Sequence, residues 1–141
     1  MFVSPLGVPC FKPPFGSMTA IDLTTGKTKW QVPMGSIEDA PVRGIVPGVH
    51  IPLGMPTMGG PLVTKGGLTF FHGTLDYYLR ALDNDTGREL WRGRLPVGGQ
   101  GAPMTYMGKD GKQYVVVTVG GATRTGTNDN RGDYIIAYAL P

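Results

Sequence analysis

Apolar residues occur along this chain in short runs, and each run is bounded by glycine, proline, asparagine or aspartate. Such runs predict β-strands, and no stretch shows the apolar spacing of a convincing helix. We therefore predict an all-β protein whose nine strands form groups of two, four and three. The predicted strands are 18–23 and 28–32, then 61–64, 67–73, 77–83 and 89–95, and finally 103–106, 113–119 and 134–140.

A pattern of eleven residues occurs twice, at 20–30 and at 81–91, and its two copies are identical at five positions. In each copy the aspartate is expected to accept backbone N–H groups in an Asx-type turn. The glycine is expected to adopt a positive φ, which closes the pair of strands. Each tryptophan then lies on the outer strand of its pair. The matched residues are Asp22 and Asp83, Gly26 and Gly87, and Trp30 and Trp91.

The repeated tryptophan predicts how neighbouring sheets pack. A tryptophan buries about 150–250 Å², so a four-stranded sheet that exposes one is incomplete alone. Radial stacking of such sheets into a β-propeller covers both faces of each sheet and protects the edges. We predict that 1–141 forms about two blades plus a half-blade, as the C-terminal part of a propeller or as a truncated gene product. The half-blade is 18–32, the full blade is 61–95, and the final three-stranded blade is 103–140.

The connection 33–60 has no apolar period. The stretch from residue 31 to residue 60 holds five prolines and six glycines. A connection of this length inside a compact domain is usually either functional or disordered. Repeated proline restricts the backbone and favours an ordered loop, with disorder as the alternative.

Composition excludes several functional classes. The net charge of the 141 residues is +3, and the basic residues are scattered, so the nucleic-acid footprint of a clustered basic patch is absent. A single cysteine, Cys10, excludes an internal disulfide and a cysteine-based metal site. No apolar run reaches the roughly 20 residues of a membrane-spanning helix, and no signal-peptide pattern is visible at the N-terminus.

Further residues resemble a known family. The two tryptophan segments resemble the tryptophan-docking motifs of quinoprotein dehydrogenases, which use pyrroloquinoline quinone (PQQ). Five more segments resemble, in this order, the C-terminal end of the membrane-bound glucose/quinate/shikimate dehydrogenases, so the resemblance covers nearly the whole chain. These segments are PCFKPPFG at 9–16, GMPTMGG at 54–60, DYYLRA at 76–81, RLPVGGQ at 94–100 and GDYIIAYALP at 132–141.

The resemblance implies an eight-bladed propeller on the periplasmic face of the bacterial inner membrane, anchored by an N-terminal transmembrane region. It implies PQQ with Ca²⁺ or Mg²⁺ near the propeller axis. The implied reaction is the oxidation of a sugar or cyclic polyol (glucose, quinate or shikimate), with electrons passed to ubiquinone. The family's catalytic aspartate, PQQ-contacting lysine and metal-ligating asparagine have no assigned counterpart here. We therefore assign no catalytic residue and no metal ligand, and we expect the chain to need the rest of the propeller for activity.

The resemblance also implies site residues on the loops. Met58 is the expected cofactor contact, and Gly59 and Gly60 would permit close backbone approach. The alternative for these three residues is packing and turn formation. Asp76 matches a family aspartate on the active-site side of its blade and is assigned to the active-site rim. The alternative for Asp76 is a carboxylate in a turn or at a strand edge that keeps a hairpin solvated.

Both histidines and one alanine complete the candidates. His50 lies in the proline-rich loop and is assigned to the rim of the funnel, with a structural role as the alternative. His72 ends an apolar run and is expected to be structural. Ala122 stands where some glucose-oxidising members carry a histidine, which weakens glucose as the substrate. The rival function from another class is a non-catalytic propeller scaffold, which would have no need of an axial loop.

Overall fold

The computed structural model of the chain describes residues 5, 9–39, 46–121 and 131–139. The described residues contain nine strands and no helix. The strands are β1 (Ser17–Ile21), β2 (Thr28–Pro33), β3 (Leu62–Val63), β4 (Leu68–Phe71), β5 (Tyr78–Asp83), β6 (Glu89–Arg94), β7 (Met104–Met107), β8 (Gln113–Val119) and β9 (Tyr134–Ala139).

The strands form three antiparallel sheets in chain order. The first sheet is β1-β2, the second is β3-β4-β5-β6 and the third is β7-β8-β9. This confirms the all-β class and the grouping of two, four and three strands.

Several strand ends were predicted wrongly, by one or two residues. The first strand stops at Ile21, before the predicted residue 23, because Asp22 already belongs to the turn. Thr64 lies outside β3, because its hydroxyl donates to the carbonyl oxygen of Leu68 at 2.9 Å. The last predicted strand end, residue 140, lies outside the described residues.

The antiparallel connections divide each sheet into two ends. The tight turns 22–27, 64–67, 84–88 and 108–112 lie at one end, which we call the turn end. The described parts of the longer connections, 34–39, 46–61, 72–77 and 95–103, lie at the other, which we call the loop end. Hydrogen bonds between these longer connections, described below, place them together.

The repeated aspartates form the predicted turns. The Oδ1 atom of Asp22 accepts the backbone N–H groups two and three residues further on, at 2.8 and 3.2 Å. The Oδ1 atom of Asp83 accepts the equivalent pair at 2.9 and 2.8 Å. Gly26 has a φ of 69° and Gly87 a φ of 73°. The Asx-turn and positive-φ predictions are confirmed.

The two tryptophans have different surroundings. The indole N–H of Trp30 donates to the carbonyl oxygen of Asn84 at 2.9 Å, so the first hairpin contacts the second copy of the turn. Trp91 packs edge-on against Tyr138 of the third sheet, with ring centroids 5.4 Å apart. Trp91 remains 42% exposed, so more than half of its surface is buried in these contacts.

Two apolar clusters join the three sheets. Met34, Phe71 and Leu82 are buried between the first and second sheets. A larger cluster lies between the second and third sheets. Its buried members are Leu79, Leu95, Val97, Val115, Val117 and Val119. Among the described residues, no helix is long and apolar enough to span a membrane.

Candidate functional site

Backbone hydrogen bonds hold the connections of the loop end together. They join the proline-rich loop both to the end of the first sheet and to the β4–β5 connection, and they join the third sheet to the second. The bonds run from Met55 N to Met34 O at 2.7 Å, from Met58 N to Gly73 O at 2.9 Å and from Gly121 N to Gly98 O at 2.8 Å. The described part of the proline-rich loop is therefore ordered against the sheets, as the proline content favours.

The structure places the three predicted cofactor residues on the surface of this end. Met58 and Gly60 are half-buried, and Gly59 is exposed. A Cβ atom on Gly59 would lie 2.7 Å from the carbonyl oxygen of Gln100 and 2.8 Å from that of Gly101. The missing side chain thus permits close packing within the chain, as the alternative interpretation holds. Contact with a cofactor stays a prediction.

Asp76 lies at the centre of a buried polar cluster. It is 1% exposed, and both carboxylate oxygens accept hydrogen bonds. Arg80 donates to Oδ1 from Nη1 at 2.9 Å and to Oδ2 from Nη2 at 2.6 Å. The hydroxyl of Thr74 also donates to Oδ1, and the backbone N–H of Ser36 donates to Oδ2 at 2.5 Å. Four donors therefore satisfy one carboxylate.

These donors keep Asp76 ionised. Burial by itself raises the pKa of a carboxyl, but the hydrogen bonds and positive charge of Arg80, together with Thr74 and Ser36, lower the pKa of Asp76 below its usual value. The carboxylate connects Ser36, which follows β2, to Arg80 on β5. This geometry supports a role for Asp76 in holding the 34–36 segment against the second sheet. A direct role at the active-site rim stays a prediction.

Sequence reasoning missed the partners of Asp76. Arg80 is 2% exposed and also donates from Nε to Glu89 Oε2 at 3.0 Å. Ser36 and Thr74 are 0% and 1% exposed. The sequence carries no signal for Ser36, because it contacts Asp76 across forty residues of chain. The one clue in the sequence was Arg80 four residues after Asp76, since an arginine is a common partner of a buried carboxylate.

A second ion cluster joins the described parts of the 37–50 loop, 37–39 and 46–50, to arginines of β6. Arg94 binds Asp39 with two parallel bonds of 2.6 Å each. Asp39 Oδ2 also accepts the backbone N–H of Tyr77 at 3.0 Å. The bonds to Asp39 raise the pKa of Arg94 above its usual value. Bidentate geometry of this kind is stronger than a single exposed contact.

His50 belongs to the same cluster. Its Nδ1 atom lies 3.3 Å from Glu38 Oε2, and its Nε2 atom lies 3.1 Å from Arg92 Nη1. The imidazole lines a cleft of about 260 Å³ between the first hairpin and the second sheet, which Arg88 and Glu89 also line. Whether this cleft belongs to the funnel of a complete propeller stays a prediction.

We predict that Asp39→Asn loosens the 37–50 loop. Loss of the carboxylate removes the charge of a bidentate pair whose arginine is half exposed, so the cost in unfolding free energy should be small, about 1 kcal/mol or less. Limited proteolysis should show faster cleavage between residues 37 and 50. The control is Asp110→Asn, which removes an exposed acid at the turn end and should leave that cleavage unchanged. Equal cleavage of both variants would show that the Asp39–Arg94 pair does not hold this loop.

The other candidate residues do not form a cluster within the described part of the chain. The described residues contain no group of three or more His, Cys, Asp or Glu side chains that could hold a metal ion. Cys10 is a free, exposed cysteine. Ala122 lies outside the described residues. His72 is fully buried directly after β4, at the end of the apolar run where the sequence places it.

Successive antiparallel sheets with tight turns at one end, longer loops at the other and apolar contacts between neighbouring sheets define part of a β-propeller. Residues 1–115 match the family described as "PQQ: Glucose/ethanol/alcohol dehydrogenase, beta-propeller domain". The chain belongs to this family of PQQ-dependent dehydrogenases.

Its relatives include dehydrogenases named for cyclic acids and for glucose. The chain is 59% identical over 140 residues to "Quinate/shikimate dehydrogenase (quinone)" of Acinetobacter baylyi, covering 99% of this chain and 17% of the relative. It is 57% identical over 141 residues to "Probable quinate dehydrogenase (quinone)" of Xanthomonas campestris pv. juglandis, covering 99% and 18%. It is 46% identical over 140 residues to "Quinoprotein glucose dehydrogenase" of Escherichia coli, covering 99% and 17%. The chain thus spans under a fifth of each relative.

Solved structures agree with the fold. Quinohemoprotein alcohol dehydrogenase from Comamonas testosteroni is similar over 94% of this chain and 17% of its own, with a TM-score of 0.61 and 27% identity. A europium-containing methanol dehydrogenase is similar over 81% of this chain and 18% of its own, with a TM-score of 0.55 and 30% identity.

Proposed function

We propose that this chain forms the C-terminal part of a PQQ-dependent dehydrogenase that oxidises quinate or shikimate. The observation that carries the proposal is the 59% identity to a quinate/shikimate dehydrogenase, which extends over 99% of the chain. The lower identity to a glucose dehydrogenase, 46% over a similar length, favours a cyclic polyol over glucose. Ala122, in the position of a family histidine, supports the same preference.

We propose that Met58, Gly59 and Gly60 form one side of a cofactor site. Met58 offers a polarisable thioether beside Gly59, which has no side chain. When bound, PQQ with Ca²⁺ or Mg²⁺ supplies an electrophilic quinone, so that the alcohol carbon loses hydride, its hydroxyl loses a proton and a carbonyl forms. The two electrons would pass to ubiquinone, which takes up two protons. Met58 would lie against the cofactor. The base and the metal ligands would come from the rest of the propeller.

The residues of this chain would act by positioning. The Asp76–Arg80 pair holds the 34–36 segment through the backbone N–H of Ser36. The bond from Met58 N to Gly73 O holds residues 58–60, which we call the Met58–Gly60 loop. Loops that are held in one position keep the reacting groups aligned before the reaction. Such alignment lowers the activation barrier even where the loop residues exchange no protons. We further propose that the complete protein lies at the periplasmic face of the inner membrane, as the family resemblance implies.

The test is a turnover panel with the complete natural polypeptide that contains these residues. Loaded with PQQ and Ca²⁺ or Mg²⁺, it should reduce an artificial dye with quinate or shikimate at a kcat/KM at least tenfold higher than with glucose. The 141-residue chain alone should give no dye reduction. Higher activity with glucose than with quinate or shikimate would contradict the proposed substrate. Absence of PQQ binding would favour a non-catalytic scaffold, and dye reduction by the 141-residue chain alone would contradict the need for the other blades.

Physiological electron acceptance needs its own measurement. Washed membranes that contain the complete polypeptide should reduce a soluble ubiquinone analogue when quinate is added. Membranes treated with a chelator should lose this activity and regain it with PQQ and Ca²⁺ or Mg²⁺. Activity that stays in the soluble fraction would contradict the proposed location.

A further inference from the structure

His72 is buried without a hydrogen-bond partner among the described residues. The residue is 0% exposed, and neither Nδ1 nor Nε2 has a donor or acceptor within reach in the described part of the chain. Buried polar side chains are nearly always hydrogen-bonded, because removing them from water without compensation is costly. A phenyl or aliphatic group would fill the same space without this cost. We therefore expect a polar hydrogen-bond partner for the imidazole of His72.

The surroundings of His72 are built closely around its ring. A Cβ atom on Gly99 would lie 2.5 Å from His72 Nδ1 and 2.6 Å from its Cε1 atom, and 3.0 Å from Val119 Cγ1. Any residue larger than glycine at position 99 would displace the imidazole. The ring thus lies where the connection after β6 meets the end of β8.

The residue after His72, Gly73, connects it to the Met58–Gly60 loop. Gly73 has a φ of 109°, and a Cβ atom there would lie 1.9 Å from the carbonyl oxygen of Met58 and 3.5 Å from that of Gly99. Its own carbonyl accepts the N–H of Met58 at 2.9 Å. Two carbonyl oxygens therefore lie beside the residue that follows the imidazole. They are acceptors of the kind that a neutral imidazole N–H, or a water bound to it, requires.

We propose that His72 is a positioning residue for the Met58–Gly60 loop: its neutral imidazole fills the space against Gly99 and donates one ring N–H to a polar atom buried in the same layer. The partner that fits this layer is one buried water shared with the carbonyl oxygens of Met58 and Gly99, since buried waters make two to four hydrogen bonds. The importance of this loop for PQQ rests on the proposed function. The hydrogen bond itself does not.

The neutral form of the imidazole follows from its surroundings. Burial lowers the pKa of His72 below its usual value. Gly99, which lies against the ring, carries no charge, and Val119 beside Gly99 is apolar. The next charged residues along the chain are Asp76 and Arg80, which bind each other. No carboxylate among the described residues raises the pKa of His72.

The first test measures amide hydrogen exchange by mass spectrometry in the complete natural polypeptide without PQQ. His72→Phe keeps a ring but removes both nitrogens, and we expect at least tenfold faster exchange in peptides that cover 57–62 and 97–102. His72→Gln keeps an N–H donor and should restore most of the protection. Peptides from the turn end at 108–112 should be unaffected in both variants. Unchanged exchange in His72→Phe would overturn the proposal, and so would equal losses in both variants.

The second test measures PQQ affinity of the same proteins by titration. His72→Phe should weaken PQQ binding about tenfold, and His72→Gln should weaken it by less than threefold. Loss of protection without any change in affinity would overturn the link to the cofactor. If the wild-type polypeptide binds no PQQ at all, the proposed function fails, but the exchange measurement still decides the hydrogen bond.

The pH profile supplies a readout that packing alone would not change. Because the folded-state pKa of His72 is lowered, the unfolded state binds the proton first as the pH falls below 6.5. Stability should therefore decrease from pH 6.5 towards the folded-state pKa. His72→Gln should remove that part of the slope, whereas His50→Gln, which removes the exposed histidine, should retain it. Identical slopes in all three proteins would overturn the neutral buried imidazole.

Discussion

Asp76→Ala should lower the free energy of unfolding by about 3 kcal/mol, the lower end of the range for breaking a buried ion pair. The substitution leaves the guanidinium of Arg80, which is 2% exposed, without its bidentate partner. It also removes the acceptor of the backbone N–H of Ser36. The effect should stay at the lower end because Glu89 still accepts from Arg80 Nε at 3.0 Å. Chemical denaturation of the variant and the wild type measures the difference.

A double-mutant cycle measures the interaction free energy between Asp76 and Arg80 apart from their other contacts. Arg80→Met removes the charge that Asp76→Ala leaves unpaired, so the double variant should be more stable than the sum of the single effects implies. The control is Asp110→Ala, which removes an exposed carboxylate bound to Tyr114 at 2.7 Å. That change should have a small effect. If Asp76→Ala costs no more than Asp110→Ala, the buried pair does not hold the loop end together.

The parts of the fold that were predictable are the parts determined by local chemistry. The turn at Asp22 follows from an aspartate followed by N–H groups two and three residues later, and Gly26 supplies the positive φ. The turn at Asp83 repeats both features. Short apolar runs between such turns gave the correct grouping of strands. Each of these decisions involves neighbours within a few residues, so the sequence contains the needed information.

The candidate site was less predictable because its contacts are distant along the chain. Asp76 could be chosen from its family resemblance, but the bond to Ser36 spans forty residues and has no local pattern. His72 looked like the end of an ordinary apolar run, and its burial depends on the missing side chain of Gly99. Gly59 likewise proved to be packed against carbonyl oxygens of residues 100 and 101. Such close backbone approaches become visible only in three dimensions.

The two copies of the motif offer a matched pair of substitutions at Gly26 and Gly87. Their φ values are 69° and 73°, so an alanine at either position carries a similar backbone cost of about 1–2 kcal/mol. Their surroundings differ. A Cβ atom on Gly26 meets nothing within 4 Å, whereas one on Gly87 would lie 2.6 Å from Trp30 Cε3 and 2.7 Å from Trp30 Cδ2. The difference between the variants therefore isolates the contact of Trp30 with the turn.

Gly87→Ala should cost about 1–3 kcal/mol more than Gly26→Ala, because the added methyl group must displace a packed ring. Trp91→Phe leaves Trp30 as the one tryptophan of the 141 residues, so fluorescence in that background reports on its surroundings alone. Gly87→Ala should shift the emission of Trp30 to longer wavelength, and Gly26→Ala should leave it unchanged. Equal costs and equal spectra would show that Trp30 contributes no packing energy at this turn. The first sheet would then be held to the second by the Met34, Phe71 and Leu82 cluster and by the polar contacts of the loop end.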